Sequence, residues 1–534
     1  MKMIDSHLFV TMGNILRFRC DAWLAPTDEE LNFFNGWTDG VKGLAEAASS
    51  SVGPSFRQGK AFAVAAEEWP SEEPLPVFTS VPFRGVESAN DLGPRIAAFL
   101  HEAARAVLLS PRTGTGQSRR VPLLALPFFG TAAGGGDLQR GEIMHTILRT
   151  IVRELPMLEC DVVLILQDEA AFALAQDIRR ANEDTYWSRL CREHLVQAQS
   201  LALRARGGRL VPFMGSGVSV TAGAPSWEGL LDKLAESVGL DDDLAMGFRK
   251  LSPLDQANIL QSLHESPDRI GDEARGSFGS LVASFVRVEK YGLAPTLLAN
   301  LPSDGAITLN YDSLFESASA DAGRSRAIIP QDSTTAQVDT DSRWLLKLHG
   351  SVSQPDTIVL TRDDYLGYNA NREALSALVK AHLMTHHLLF VGFGLKDDHF
   401  HEIVHDVRRA MPNDRGGSGS LGTVLTLNTD PLQELAWKDK LSFISMEDPS
   451  SNDAARTLEI FLDALTCYST ESHFYFLAPK YEGGLNAKER QLRREILKLK
   501  TLPAAVGESS VVGVIDAMLR TLGWSENASY EGEF

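Results

Sequence analysis

The sequence predicts an α/β protein with two mainly parallel-sheet domains, and three observations carry that prediction. Strand-like runs alternate with helix-like runs along most of the chain. The stretches between strands are long enough for the right-handed helical crossovers that parallel strands require. Four short motifs each follow an apolar, β-branched-rich run: MGSGVS at Met214 to Ser219, TLNYD at Thr308 to Asp312, LHGS at Leu348 to Ser351, and VGFGLKDD at Val391 to Asp398. Turns so placed lie at the carboxyl edge of one sheet, where open α/β folds bind ligands.

With 534 residues the chain exceeds one hydrophobic core, and the length prior is roughly three domains of ~150 residues. Residues 1 to 168 read as a first α/β domain. Its strand-like runs are His7 to Met12, Ala22 to Ala25, Val77 to Pro82, Val121 to Phe128 and Asp161 to Leu166. Helices are expected at Ile96 to Leu109 and at Leu138 to Leu155, where Ile143, Ile147, Ile151 and Leu155 repeat at i, i+4. Residues 169 to 206 are Ala-rich and charged, with helical periodicity and a Gly-Gly stop, and form the expected helical connector.

Residues 207 to 470 form the second domain. Strands are expected at Arg209 to Met214, Ala306 to Leu309, Trp344 to Leu348, Leu388 to Val391, Thr423 to Leu427 and Leu441 to Met446. Arg415 to Ser420, RGGSGS, is the clearest flexible loop. Residues 471 to 534 read as a mostly helical extension. Asn486 to Lys500 puts Leu492, Ile496 and Leu499 on one stripe of a basic helix, expected to pack with a solvated face, and Ser510 to Leu522 is apolar enough to pack.

Composition narrows the class. A hydrophobic fraction of 44% and a charged fraction of 23% are those of a globular protein. The net charge of −19 disfavours a nonspecific grip on nucleic acid. No run of ~18 apolar residues is present, and Asp5 and His7 interrupt the amino-terminal segment, so neither a membrane partner nor a secretory signal is expected. A cytoplasmic location is the expectation. Cys20, Cys160, Cys191 and Cys467 form no CxxC pair, which argues for buried reduced thiols rather than disulfides or structural zinc. His382, His386, His387, His399, His401 and His405 show no ligand spacing with carboxylates, so no metal is expected.

The motifs carry the chemistry. A strand ending in Gly-Ser-Gly lets backbone amides approach an anion closely. Gly215 and Gly217 supply that turn, Ser216 and Ser219 offer hydroxyls, and Ser226 is the expected cap of a helix starting near Trp227. Val220 stands at the third glycine position of the usual dinucleotide fingerprint, and no Gly-Lys-Ser/Thr phosphate loop is present. By residue type alone Asn310 and Asp312 are equally turn formers, and His349 is equally a structural histidine.

The ordered set resembles the sirtuin-like NAD-consuming domains of bacterial antiphage effectors, over roughly residues 200 to 470. The resemblance implies that Gly215, Ser216, Gly217 and Ser219 cradle the NAD pyrophosphate. It implies that Asn310 and Asp312 line the nicotinamide and ribose pocket, that His349 is catalytic together with Asn310, and that Gly392 and Gly394 admit the adenosine half. Cleaving the ribose–nicotinamide bond develops oxocarbenium character, so an oriented water and a nearby base are needed. His349, with an ordinary pKa of about 6.5, and Asn310 suit those tasks. Protein-deacylating sirtuins carry a zinc ribbon of two CxxC pairs, absent here, which favours NAD hydrolysis over deacylation.

VTMGNILRFRCDAWLAPTDEELN and LPFFGTAAGGGDLQRGE resemble the first and last ligand loops of macro domains, which bind ADP-ribose. Asn14 replaces the usual adenine-binding Asp, and Ala25-Pro26-Thr27-Asp28 replaces the usual Asn-Ala-Ala-Asn run. The Gly130 to Gly136 stretch still suits a diphosphate cradle before a helix. The expectation is therefore a macro-like sensor of an ADP-ribose-type nucleotide, coupled to a Rossmann-like, sirtuin-type NAD glycohydrolase. It uses NAD as substrate without a metal and acts as a homo-oligomeric antiphage effector. The alternatives are a noncatalytic NAD or ADP-ribose sensor that regulates a partner, and an NAD-dependent protein deacylase.

Overall fold

Among the described residues of a computed structural model, thirteen short runs of apolar and β-branched residues form strands. The structure describes residues 6–525 except 34, 84, 113–118, 132–133, 267–275, 331–342, 412–419, 448–452 and 500–509. Most of the RGGSGS loop lies outside the described residues. The chain divides into two compact units, residues 1–195 with 463–534, and residues 196–462. Residues beyond 463 thus belong with the first unit, as does the helix Glu169–Arg180, which follows that unit's last strand.

The first unit holds β1 (Leu8–Met12), β2 (Ala22–Thr27), β3 (Ala63–Ala65), β4 (Leu75–Ser80), β5 (Leu123–Pro127) and β6 (Asp161–Leu166), in sheet order β1-β6-β5-β2-β4-β3. All pairings are parallel except β3 on β4. β1, β4 and β6 are buried along their whole length, as strands covered on both faces must be. The helix Arg140–Glu154 buries Ile143, Ile147 and Ile151, the predicted i, i+4 row. β3 escaped sequence reading because three residues of AVA carry no period.

The second unit holds β7 (Leu210–Met214), β8 (Gly305–Thr308), β9 (Ala327–Ile329), β10 (Trp344–Lys347), β11 (His387–Val391), β12 (Gly422–Thr426) and β13 (Leu441–Ser445). Their order is β13-β12-β11-β7-β8-β10-β9, parallel throughout. Connections from β7 run to one side of the sheet and those from β11 to the other, so the β7/β11 boundary is a topological switch point. Phe213, Phe390, Phe393 and Phe400 pack ring to ring beneath it, with Phe213–Phe390 centroids 5.0 Å apart. A second core of Leu230, Leu234, Phe278, Val282 and Leu360 joins the helices Trp227–Ser237 and Phe278–Val286.

Two sequence expectations change in the carboxyl-terminal helices. In Ala487–Lys498 the buried residue is Arg493, which donates to the Leu477 carbonyl and pairs with Glu482, while Leu492 is 54% exposed. The long aliphatic stem of arginine fills the packing position the periodicity had given to leucine. The helix Ser510–Thr521 buries Leu519 but leaves Val511 and Val514 exposed. None of the four cysteines, all among the described residues, is in a disulfide; Cys20, Cys160 and Cys467 are buried as expected, but Cys191 is exposed. Among the described residues no helix is long and apolar enough to cross a membrane.

Candidate active site

Parallel register brings the four motifs to one level. Val391 pairs with Met214, Met214 with Thr308, and Thr308 with Lys347, so four strands end in one row and their loops leave together. Beyond that row lies a cavity of about 500 Å³, walled among others by Gly215, Ser216, Ser219, Asn310, Asp312, His349, Gly392 and Gly394. Eight of the nine residues singled out from sequence line it. Gly217, the ninth, does not: its hydrogen faces the next loop, and a Cβ there would sit 2.7 Å from Gly392 Cα.

Glycine is required where these two loops cross. Gly217 N–H donates to the Gly392 carbonyl at 3.0 Å, and Gly215 N–H to Val391 at 3.0 Å. Gly392 has φ +63°, and a Cβ on it would meet Val218 N at 2.5 Å. By contrast, a Cβ on Gly394 would meet nothing within 4 Å. Ser226 caps the helix Trp227–Ser237 by accepting from Gly229 N–H, as predicted.

The TLNYD turn is tied to the glycine loop. Asn310 Nδ2 donates to the Gly215 carbonyl and to Ser219 Oγ, each at 3.1 Å. Ser219 in turn donates to Asp312 Oδ2 at 2.8 Å, and Asp312 Oδ1 accepts from Leu314 N–H at 3.0 Å. Both carboxylate oxygens of Asp312 are therefore engaged in holding loops. Below the turn, Lys347 is almost wholly buried; its ammonium donates to the Asp312 carbonyl at 2.6 Å and pairs with Glu316 at 2.5 Å. Burial pushes the Glu316 carboxyl up, and Lys347 opposes that shift.

His349 is 3% exposed and borders the cavity from beside β10. Its backbone is fixed on both sides: Val359 N–H donates to its carbonyl at 3.0 Å, and Arg372 and Tyr368 donate to the Leu348 carbonyl. Its Nε2 lies 3.6 Å from Asp397 Oδ2, within ion-pair range but too long for a hydrogen bond. Burial lowers its pKa to about 4, against the raising influence of Asp397 and with a further lowering from His399 and Arg372.

Sequence reading missed the surroundings of this histidine. Asp397 caps the helix Asp398–Ala410 through Phe400 N–H, and it accepts from the Tyr365 hydroxyl at 2.8 Å. Tyr365 stacks on His399, with centroids 4.5 Å apart and planes 8° apart. His349, Asp397 and His399 also form a group with metal-ligating atoms, each offering one atom within 4.8 Å of the others. The signal lay in the LKDDHF run, but its partner histidine is about fifty residues earlier, so no ligand spacing exists to read.

In the first unit, Asn14 Oδ1 accepts from Leu16 N–H, and Asp28 Oδ1 accepts from Glu30 and Asn32 N–H, so both residues close their own turns. Gly134 accepts from Val86 N–H at 2.7 Å, and a Cβ on it would lie 2.7 Å from Gly130 Cα. Substituting Gly134 by Asp therefore disturbs the loop itself. Ala132 and Ala133 lie outside the described residues.

The cavity lies at the switch point of a parallel sheet, where open α/β folds bind ligands, and residues 304–446 match the family model of the SIR2-like domain. Over 210 residues the chain is 31% identical to Defense-associated sirtuin 2 of Bacillus subtilis, covering 38% of this chain and 20% of that protein. Over 207 residues it is 29% identical to the NAD(+) hydrolase ThsA of Bacillus cereus strain MSX-D12, covering 38% of this chain and 40% of the relative. A ThsA of Enterococcus faecium is 28% identical over a similar span. The chain thus spans between a fifth and two fifths of the curated relatives it matches. Among solved structures, a mutant Oceanobacillus iheyensis macrodomain aligns over 34% of this chain and 97% of its own, with 13% identity and a TM-score of 0.24.

Proposed function

We propose that the second unit hydrolyses NAD at the nicotinamide–ribose bond, releasing nicotinamide and ADP-ribose, and that the protein acts in antiphage defence by depleting NAD. The observation that carries this reading is the convergence of Asn310, His349 and the Gly215–Ser219 loop on one cavity, of a size usual for ligand pockets. The SIR2-like match over 304–446 and the relatives named as NAD(+) hydrolases support it.

In the reaction the glycosidic bond breaks, nicotinamide leaves with the bonding pair, and water adds to the ribose carbon with loss of one proton. Asn310 has its Nδ2 committed to Gly215 and Ser219, so its Oδ1 is the atom available to accept from the attacking water. His349 is neutral at physiological pH and accepts the proton from that water or from a ribose hydroxyl. Gly215 and Ser216, beside the turn, suit the pyrophosphate, and Gly392 and Gly394 the adenosine half. The buried Lys347 keeps the Asn310 turn in place from below.

Purified protein incubated with NAD should release nicotinamide, and His349→Ala or Asn310→Ala should reduce that release by at least about a hundredfold, the usual scale for general acid–base groups. Undiminished release from both variants would remove the catalytic assignment. We further propose that the first unit senses an ADP-ribose-type nucleotide at the Gly130–Gly136 loop before the helix Arg140–Glu154, and that the active form is a homo-oligomer. Nicotinamide release that is unchanged by ADP-ribose and by cyclic ADP-ribose would place control elsewhere.

A further inference from the structure

His399 is the least explained side chain around the cavity. Its Nε2 faces the Tyr365 carbonyl oxygen at 3.1 Å, and a carbonyl can only accept, so Nε2 carries the proton and the lone pair sits on Nδ1. That Nδ1 is buried and has no hydrogen-bond partner, on a residue only 8% exposed. A buried polar atom left unmet in this way calls for an explanation, an unseen ion among them.

The neighbours supply the other ligands. His349, Asp397 and His399 offer three atoms within 4.8 Å of one another, drawn from the loop after β10 and the start of the helix Asp398–Ala410. Tyr365 serves both of the latter, accepting from His399 Nε2–H and donating its hydroxyl to Asp397 Oδ2. Such outer contacts orient metal ligands: an imidazole whose second nitrogen donates to a carbonyl, and a carboxylate held by a further hydrogen bond. His349 and Asp397 border the cavity, which gives an ion an entry path. Two imidazoles with one carboxylate suit a zinc-like ion that keeps an open position, whereas magnesium and calcium favour all-oxygen shells.

We propose that His349, Asp397 and His399 form an inhibitory site for a divalent transition-metal ion, zinc above all. Only coordination bonds form, and no redox step is involved. Zinc takes the His349 lone pair that would otherwise accept a proton, so the metal-bound protein cannot turn over. The inhibitory half rests on the proposed NAD hydrolysis; the binding half does not.

The test titrates chelator-stripped full-length protein with zinc alone by calorimetry, and compares His399→Ala and Asp397→Asn with the unaltered chain. Asparagine retains the helix cap, so Asp397→Asn removes a ligand charge while keeping the local fold. His399→Ala should bind one zinc equivalent fewer, and Asp397→Asn should bind that equivalent at least about tenfold more weakly. Any ion held by the separate His382–His386 pair, whose Nδ1 atoms are 3.3 Å apart, persists in both variants and cancels in the comparison. Unchanged stoichiometry and affinity in both would overturn the site; if His399→Ala does not fold, Asp397→Asn alone decides. Zinc should also suppress nicotinamide release at least about tenfold, reversibly with chelator, and binding without suppression would overturn the inhibitory role. A protein that never turns over NAD but loses zinc in the variants would defeat the proposed function and leave the site standing.

Discussion

Burial decides what His349 can do. An ordinary imidazole gains its proton as pH falls through about 6.5, but desolvation holds this one near 4, because the Asp397 carboxylate 3.6 Å away only partly offsets the loss of water. The proton-accepting form therefore persists through the whole physiological range. If His349 is the base, kcat/KM for nicotinamide release should stay level from pH 8 down to about 5, and an acid limb centred near 6.5 would contradict this. The sign for stability is opposite to that of a histidine gaining a partner. Between about 6.5 and 4 the unfolded chain binds a proton that the folded chain refuses, so stability falls as pH falls through that window. Circular dichroism across the same range separates unfolding from loss of the base. None of this was legible in LHGS, since burial and Asp397 both arrive through tertiary structure.

At the scale of elements, the glycine loops make contrasting demands. Gly217 lies against Gly392, so Gly217→Ala forces two backbones apart and should destabilise the protein by about 1–3 kcal/mol in urea denaturation. Gly394 faces open space with no positive φ, so Gly394→Ala should stay within about 0.5 kcal/mol. Equal losses from both would mean that the crossing of the loops is not what holds this corner. The positions of most strands were legible because β-branched runs ended in turn residues. β9 and β3, three residues each, were too short to carry a period. Lys347 was invisible for another reason: a lysine closing an apolar run reads as a strand end, and only the fold shows it buried beneath Asp312.

At the scale of the molecule, the first unit is built from both ends of the chain. Asp463 is fully buried there; its carboxylate pairs with Arg179, and accepts from His7 Nε2 at 3.0 Å and from Trp187 Nε1 at 3.3 Å. Burial resists ionisation of Asp463, but Arg179 and His7 outweigh it and hold the carboxyl below its usual range. Asp463→Ala leaves the buried Arg179 without its counter-charge and should cost about 3–5 kcal/mol, read as a lower urea midpoint. A midpoint unchanged in every phase of the unfolding curve would show that the pair contributes nothing net. Nothing in the sequence links positions 7, 179 and 463, because charges hundreds of residues apart are paired only by packing.

The sequence by itself determined the α/β class, the sites of eleven of the thirteen strands found among the described residues, and the four motifs at the sheet's carboxyl edge, since strand period and turn chemistry are local properties. It also pointed to eight residues that do line one cavity. Only the tertiary structure decided that Gly217 packs instead of lining, that Asp312 is spent on loop contacts, and that His349 meets Asp397 and His399. It likewise placed the carboxyl-terminal segment with the first unit. These outcomes depend on strand order and desolvation, which distance along the chain does not encode.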